Sequence, residues 1–157
     1  MQKIYIETTL FNYYVDESKE DCQVTIAFFE AITSGQFEGY TSAYTIGELE
    51  SAAEPKRTKM LDLVKKYHIM ILGASDKADH LASIYVQNGI IPEKKIIDAQ
   101  HIAIATVNDI GMIFSYNFKH INKLKTKNMV PAINLNEGYR PVIITQPKEV
   151  IDYDYVQ

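Results

Sequence analysis

The stretch from Lys95 to His120, KIIDAQHIAIATVNDIGMIFSYNFKH, constrains the fold of this chain more than any other. It reads as a long helix, a glycine stop, a short buried strand over 112–114 and a polar tip carrying Asn117. After Asp98 the helix is almost uncharged until Asp109. Ile97, Ile102, Ala105, Ala99, Ala103 and Thr106 place apolar or small side chains on most of its surface. A helix that is apolar nearly all round is buried rather than amphipathic. A carboxylate at its start is then costly unless it is paired, hydrogen-bonded or bound to a metal, and acids placed in this way are candidates for function.

The rest of the chain supplies the layers that such a helix needs. Lys3 to Glu7, KIYIE, reads as an internal strand in which Ile4 and Ile6 alternate with Tyr5. It ends in Glu7-Thr8-Thr9, an acid at the carboxyl end of a first strand followed by hydroxyls that can cap a helix. Helices are expected over 23–34, with Ile26, Ala27, Phe28, Phe29 and Ile32 inward and Gly35 as the stop, and over 43–53, 56–67 and 76–87. Further strands are expected over 37–41, 69–72 and 142–145. The basic stretch 118–127 reads as helical, 131–137 as short and irregular, and Pro147 opens a last helical turn. Strands alternating with helical connections predict right-handed parallel crossovers. The expected architecture is a three-layer α/β/α sandwich around a largely parallel sheet of about five strands. No internal repeat, low-complexity tract or interdomain linker interrupts the chain, so one domain spans residues 1–157.

A chain of this length buries about 70 % of its unfolded surface and needs no disulfide or structural metal. Cys22 is the only cysteine, which excludes a disulfide framework and a cysteine zinc site and suits the cytoplasm. The N-terminus enters a strand at once, with no signal peptide, and no apolar run approaches the length of a membrane span. With 16 basic and 20 acidic residues the formal charge is −4. That balance argues against coating nucleic acid by bulk electrostatics. It is compatible with an enzyme that handles nucleic acid through metal ions and a local basic patch.

Three acids and an amide fall at equivalent structural places. Glu7 follows the first strand, Glu48 lies on the helix after the second, Asp98 begins the buried helix, and Asn117 sits just past the fourth strand. In a parallel sheet these places meet on one edge. Converging carboxylates repel unless a cation sits between them, and hard oxygen ligands suit Mg²⁺ or Mn²⁺. Such ions beside a phosphodiester can activate water and stabilise the leaving oxygen. Each residue also has a plainer reading. Glu48 competes with Glu50 as the inward acid, Asp98 can serve as an N-terminal helix acid, and Asn117 as a turn residue. Thr9 can cap the helix after the first strand, orient Glu7, or do both. His101, three residues after Asp98, can touch it on one helix face and reads as a satisfied core histidine. His68 and His80 have no partner at metal spacing. Lys119, His120, Lys123, Lys125 and Lys127 form an acid-free basic run directly after Asn117, which reads either as a solvated helix face or, from its position beside the acids, as a strip that can hold phosphates. Lys56, Arg57 and Lys59 are a weaker second basic group.

The motifs YIETTLFNYY, TSAYTIGELE, IPEKKIIDAQHIAIAT and FSYNFKHI, with the tail GYRPVIITQPKEVI, resemble those of PIN-domain nucleases, of the VapC-like kind found as toxins of bacterial toxin–antitoxin pairs. The resemblance covers nearly the whole chain and implies an α/β/α nuclease fold with an acidic pocket for Mg²⁺ or Mn²⁺. The family's first acid falls on Glu7, its following hydroxyl on Thr9, its helix acid on Glu48, its third acid on Asp98 and its fourth polar position on Asn117. Most members carry Asp at the first position and an acid at the fourth. Here Glu7 is one methylene longer and Asn117 is neutral, a combination shared by a sub-branch with similar YIET and NFKH segments. The resemblance implies an endoribonuclease whose metal is held by Glu7, Glu48 and Asp98, with Asn117 completing the shell and Lys119, His120, Lys123 and Lys125 on the RNA. It also implies a homodimer and a small antitoxin that blocks the pocket. Two other readings stand beside it. One is a PIN-like binding module that has lost its metal. The other is a small-ester phosphohydrolase, which would want a nucleophilic Asp where Glu7 stands.

Overall fold

Alternation along the first strand sets the layering. In β1 (Gln2–Ile6), Tyr5 points to one face and Ile4 and Ile6 to the other, and all three are fully buried. A strand buried on both faces belongs in the middle of a covered sheet. The computed structural model, which describes residues 1–152, places it there. The sheet has five strands in the order β3-β2-β1-β4-β5, and every pairing is parallel. Tyr5 is in register with Tyr40 of β2 (Phe37–Ser42) on one side and with Ile113 of β4 (Met112–Phe114) on the other. The outer strands are β3 (Met70–Leu72) and β5 (Ile143–Thr145).

Two cores lie against the two faces. On one face Tyr5 packs with Leu81 and Tyr85 of α5 (Asp76–Gln87), Ile102 of α6 (Ile96–Val107) and Val130 of α7 (Leu124–Asn136). On the other, Ile4 and Ile6 join residues of α1 (Thr8–Val15), α2 (Cys22–Thr33) and α4 (Lys56–Lys66). Phe28 of α2 meets Phe114 edge-on at 4.8 Å, a geometry that adds to simple area burial. Gly39 in β2 lies where the layers approach too closely for a side chain. A Cβ there would stand 2.8 Å from the Ile69 Cδ1 and 3.1 Å from that of Ile32. The remaining helix, α3 (Ala43–Glu50), follows β2 directly.

From β1 the chain winds outward through β2 to β3, then crosses back to place β4 on the other side of β1. The sheet therefore has its switch point between β1 and β4, where open α/β sheets leave a crevice at the carboxyl ends of their strands.

The three-layer architecture and its parallel sheet are as expected. Several local readings are corrected. The buried helix α6 stops at Val107, and the chain turns at Asp109 with φ of 56°, ahead of Gly111. Aspartate tolerates that left-handed conformation better than most residues. The stretch 118–127 is not one helix. Asn117 accepts from the His120 amide at 3.0 Å, and its carbonyl accepts from the Asn122 amide at 2.7 Å, so the polar tip folds as a turn. Helix α7 starts only at Leu124 and runs through Pro131 to Asn136, the region expected to be irregular. Proline there removes the amide that would bond the Lys127 carbonyl. Lys127 is exposed, so water can take that bond. In α2 the buried face carries Val24 and Thr25 with Phe28 and Phe29, whereas Ile26, Ala27 and Ile32 are only half-buried. Helix α3 ends three residues early, at Glu50. Of the expected 1–157 span, residues 153–157 lie outside the described residues. Among the described residues, no helix is long and apolar enough to cross a membrane.

Candidate active site

Glu7 is the first residue past β1, at the switch point. Its amide donates to the Phe114 carbonyl at 3.1 Å, a last sheet bond to β4. Its extended backbone makes it the N-cap of α1, with Oε1 accepting from the Thr9 amide at 3.2 Å. Ser, Thr, Asp and Asn are the usual caps; here the longer glutamate curls back on its own helix. The Thr9 hydroxyl donates to the same oxygen at 2.5 Å, and the Ser115 hydroxyl at 2.8 Å. Only 3 % of Glu7 is exposed. Burial pushes its pKa above the ordinary value, against the pull of the His101 charge and of the Thr9 and Ser115 hydrogen bonds. Thr9 is therefore not the cap. Its hydroxyl also accepts from the Tyr116 amide at 2.8 Å, so it ties Glu7 to the segment leaving β4.

Glu48 is chosen over Glu50 by the facing of α3. Glu50 is exposed, whereas Oε1 of Glu48 accepts from the Thr8 hydroxyl at 2.5 Å and pairs with His101 Nε2 at 2.7 Å. Burial alone would raise the Glu48 pKa, but the His101 hydrogen bond and charge and the Thr8 hydroxyl outweigh it, and the net shift is downward. His101 on α6 is fully buried, and its Nδ1 lies 2.7 Å from the Tyr5 hydroxyl, itself 2.7 Å from Ser42 Oγ. Burial works to lower the His101 pKa. Tyr5, Glu48 and Glu7 overcome it and hold the ring at about 10, so it stands as a cation beside the acids at neutral pH. The reading of His101 as a satisfied core histidine holds. Its partners are Tyr5 and Glu48, with the Thr8 hydroxyl 3.4 Å from Nε2, rather than Asp98 on their shared helix.

Asp98 sits half-buried in the first turn of α6, a helix with no side-chain cap. Burial raises its pKa, opposed by a hydrogen bond from the Asn117 side chain and the charges of His101 and His120, and reinforced by Glu48. Asn117 shapes its turn through the His120 amide, and its side chain also counters the upward shift of Asp98.

Glu7, Thr9, Glu48, Asp98, Asn117, Lys119 and His120 line one pocket of about 460 Å³. Lys123 and Lys125 do not; they border a neighbouring cleft. Lys56 bonds Asn12 and pairs with Asp16, and Arg57 pairs with Glu54, all away from the pocket. The pocket also contains residues the sequence reading missed: Thr8, Lys94 and Lys95 in its lining, with Ser115 behind Glu7. Ser115 carried a usable signal, a small hydroxyl residue at the carboxyl end of β4 beside the switch point.

Among the described residues, no three His, Cys, Asp or Glu side chains form a ready-made metal cage. The donor set nonetheless fits a hard cation bound openly. The hydrogen bonds to Glu7 and Glu48 all fall on Oε1, which leaves each Oε2 available, and Asp98 adds a third carboxylate in the same pocket. Mg²⁺ usually keeps several waters and takes one or two carboxylates together with substrate phosphates.

The all-parallel five-stranded sheet flanked by helices defines a PIN-like α/β/α fold. Solved VapC toxins share it. Mycobacterium tuberculosis VapC20, a sarcin–ricin loop cleaving toxin, superposes with a TM-score of 0.56 at 11 % identity, over 74 % of this chain and 92 % of its own. VapBC2 from Rickettsia felis, bound to a DNA fragment from its promoter, gives 0.58 at 15 % identity, over 77 % and 92 %. DNA-bound VapBC from Salmonella typhimurium gives 0.57 at 13 % identity, over 94 % of this chain and 99 % of its own. No protein-family model matches the sequence, and no curated protein matches it.

Proposed function

We propose that the protein is a metal-dependent endoribonuclease acting as the toxin of a toxin–antitoxin pair. The observation that carries this reading is the convergence of Glu7, Glu48 and Asp98 in one pocket at the sheet's switch point, with Lys94, Lys95, Lys119 and His120 at its border. Glu7, Glu48 and Asp98 would hold Mg²⁺ or Mn²⁺, and Asn117 would steady Asp98. A divalent cation bound there would polarise the phosphate and make a water more acidic. The chain's own residues supply the rest. Thr9 and Ser115 fix the Glu7 carboxylate, and Thr8 and His101 fix that of Glu48. The lysines neutralise phosphates and position the strand without reading its sequence. Water adds to phosphorus, the bond to the 3′ oxygen breaks, and the products are a 5′-phosphate and a 3′-hydroxyl.

The fold shared with VapC chains solved in VapBC complexes supports a small antitoxin as partner. The same reading carries a homodimer and a cytoplasmic setting. The test incubates purified protein with unpaired and structured RNAs in Mg²⁺, Mn²⁺ or chelator, beside Asp98→Asn. Cleavage that needs the metal and disappears in the variant is the expected result. RNA binding without cleavage under either metal would overturn it in favour of a binding module.

A further inference from the structure

Tyr5 does not line the acidic pocket; it is fully buried in the core with Leu81, Tyr85 and Ile102. For packing alone a phenylalanine would fill that space. The Tyr5 hydroxyl instead stands 2.7 Å from His101 Nδ1 and 2.7 Å from Ser42 Oγ, and both of those side chains are fully buried as well. Polar groups so placed are tolerable only when each is paired. Ser42 is the N-cap residue of α3. A serine there ordinarily accepts from a backbone amide of the first turn, but this side chain caps nothing on α3 and turns to Tyr5. His101 in turn meets Glu48 at 2.7 Å. The relay Ser42–Tyr5–His101–Glu48 therefore leaves the start of α3, passes through β1 and α6, and returns to α3 at its acid.

A carboxylate only accepts, so Nε2 carries a proton and donates to Glu48. Nδ1 meets a hydroxyl that can accept from it or donate to it, and that hydroxyl meets Ser42 on the same terms. The relay is thus satisfied with the ring charged or neutral, and in both cases it holds one ring orientation. Half a turn of the imidazole would set carbon against Glu48 and carbon against Tyr5. Without the Tyr5 hydroxyl only the Glu48 bond would oppose that turn. Glu48 receives His101 and Thr8 on the same oxygen, so whatever steadies the ring also steadies the direction of Oε2. We propose that Tyr5 and Ser42 are positioning residues, which act through His101 to aim the Glu48 carboxylate and so set the affinity of the pocket for its divalent cation. The proposal rests on the metal-dependent reading. Groups that orient a metal's ligands are ordinarily worth about 10–100-fold in affinity or activity. Tyr5 acts one bond further back, so the low end of that range is expected.

The test follows Mn²⁺ binding to the full chain by electron paramagnetic resonance, without RNA, beside RNA cleavage and chemical denaturation in chelator. The variants are Tyr5→Phe, Ser42→Ala, Ser42→Thr, His101→Gln and the double variant Tyr5→Phe/His101→Gln. Tyr85→Phe is the control: Tyr85 is equally buried in the same core, but its hydroxyl donates to Asn134. Tyr5→Phe should weaken Mn²⁺ about tenfold and lower kcat at unchanged KM for RNA. Ser42→Ala should weaken Mn²⁺ a few-fold, and Ser42→Thr should restore it. Adding Tyr5→Phe to His101→Gln should lose no further metal affinity, because the hydroxyl acts through that ring. Tyr85→Phe should lose stability and keep the Mn²⁺ affinity of the wild type. Equal losses of Mn²⁺ affinity in Tyr5→Phe and Tyr85→Phe overturn the proposal, since a general loosening of the core would account for both. So do additive losses in the double variant. Nuclear magnetic resonance of the metal-free protein separates the two readings. The Nε2 proton of His101, held on Glu48, should give a sharp signal in the wild type and in Tyr85→Phe that is lost in Tyr5→Phe. Metal-dependent cleavage with a Mn²⁺ affinity indifferent to Tyr5→Phe sinks the relay alone. A ring signal that responds to Tyr5→Phe in a protein that binds no Mn²⁺ overturns the cation reading and leaves only the hold on Glu48.

Discussion

The two walls of the acidic pocket are built on opposite plans. On the wall from β1 and α3, Glu7 and Glu48 are each gripped through one oxygen by hydroxyl, amide or imidazole donors, and behind them His101, Tyr5 and Ser42 continue the bonding into the core. On the wall from α6 and the turn after β4, Asp98 and Asn117 are half-buried and the neighbouring Lys94, Lys95 and Lys119 are exposed. The first wall holds its charges in place before any ligand arrives, which removes the reorganisation that would otherwise oppose binding and reaction. The second leaves long side chains exposed to solvent, as the proposed RNA substrate, with its variable shape, would require. A rigid acidic wall facing an adaptable basic one suits a chemistry that is the same at every bond on a substrate that is not.

The largest expected effect lies where the two walls would together hold the proposed cation. Asp98→Asn keeps the shape and removes a charge, and metal-dependent cleavage should fall by more than the roughly 100-fold that mark the loss of a supporting residue. Residual activity near wild type would show that the second wall takes no part in holding metal. His101→Gln tests the first wall through its support. It should lower kcat or metal affinity by about 10–100-fold with little change in RNA affinity. It should also lower stability by about 1–3 kcal/mol, because buried partners lose a bond. A matching loss of RNA affinity would mean that the walls are not separate.

The pH dependence of the metal-free protein follows from the same residue. His101 titrates at about 10 in the folded state against an ordinary 6.5, so its folded state holds a proton that the unfolded chain releases. Its stabilisation is complete below pH 6.5 and is lost as pH rises through about 10. Melting temperatures of wild type and His101→Gln should converge over that window; parallel curves would place the ring outside the charged wall. Ser115→Ala removes one of the donors to Glu7, and chemical denaturation should register a loss of about 1 kcal/mol. Smallest of all, Lys119→Ala should raise KM a few-fold at unchanged kcat, with stability within about 0.5 kcal/mol of wild type, as for most exposed sites.

Much of the frame was legible from local pattern. Alternation in KIYIE put β1 inside the sheet, and the apolar surface of α6 called for burial, which Ala99 and residues 101–106 receive whereas Ile97, expected inside, is exposed. Helix α5 and strand β4 begin and end where their capping and apolar runs said. Glu7, Asp98 and Asn117 were found because strand ends and helix starts gather at one edge of a parallel sheet. The turn at 118–123 was missed because the Asn117 side chain competes for backbone amides in a way that charge and periodicity do not reveal. Helix α7 was misread because a mid-helix proline is costly on average, yet tolerable where the orphaned carbonyl belongs to an exposed residue.

By itself the sequence determined the layers, the central strand and which acids stand at element ends. These follow from periods of two and of about 3.6 residues, and from caps a few residues long. Local pattern left Glu48 and Glu50 open and the family resemblance pointed to Glu48; tertiary structure alone decided that His101 grips Glu48 and that Ser115 reaches Glu7. The last two contacts join residues 53 and 108 positions apart. No local pattern encodes such a distance. It exists only once the chain has crossed the sheet and the buried polar groups have found the partners that burial requires.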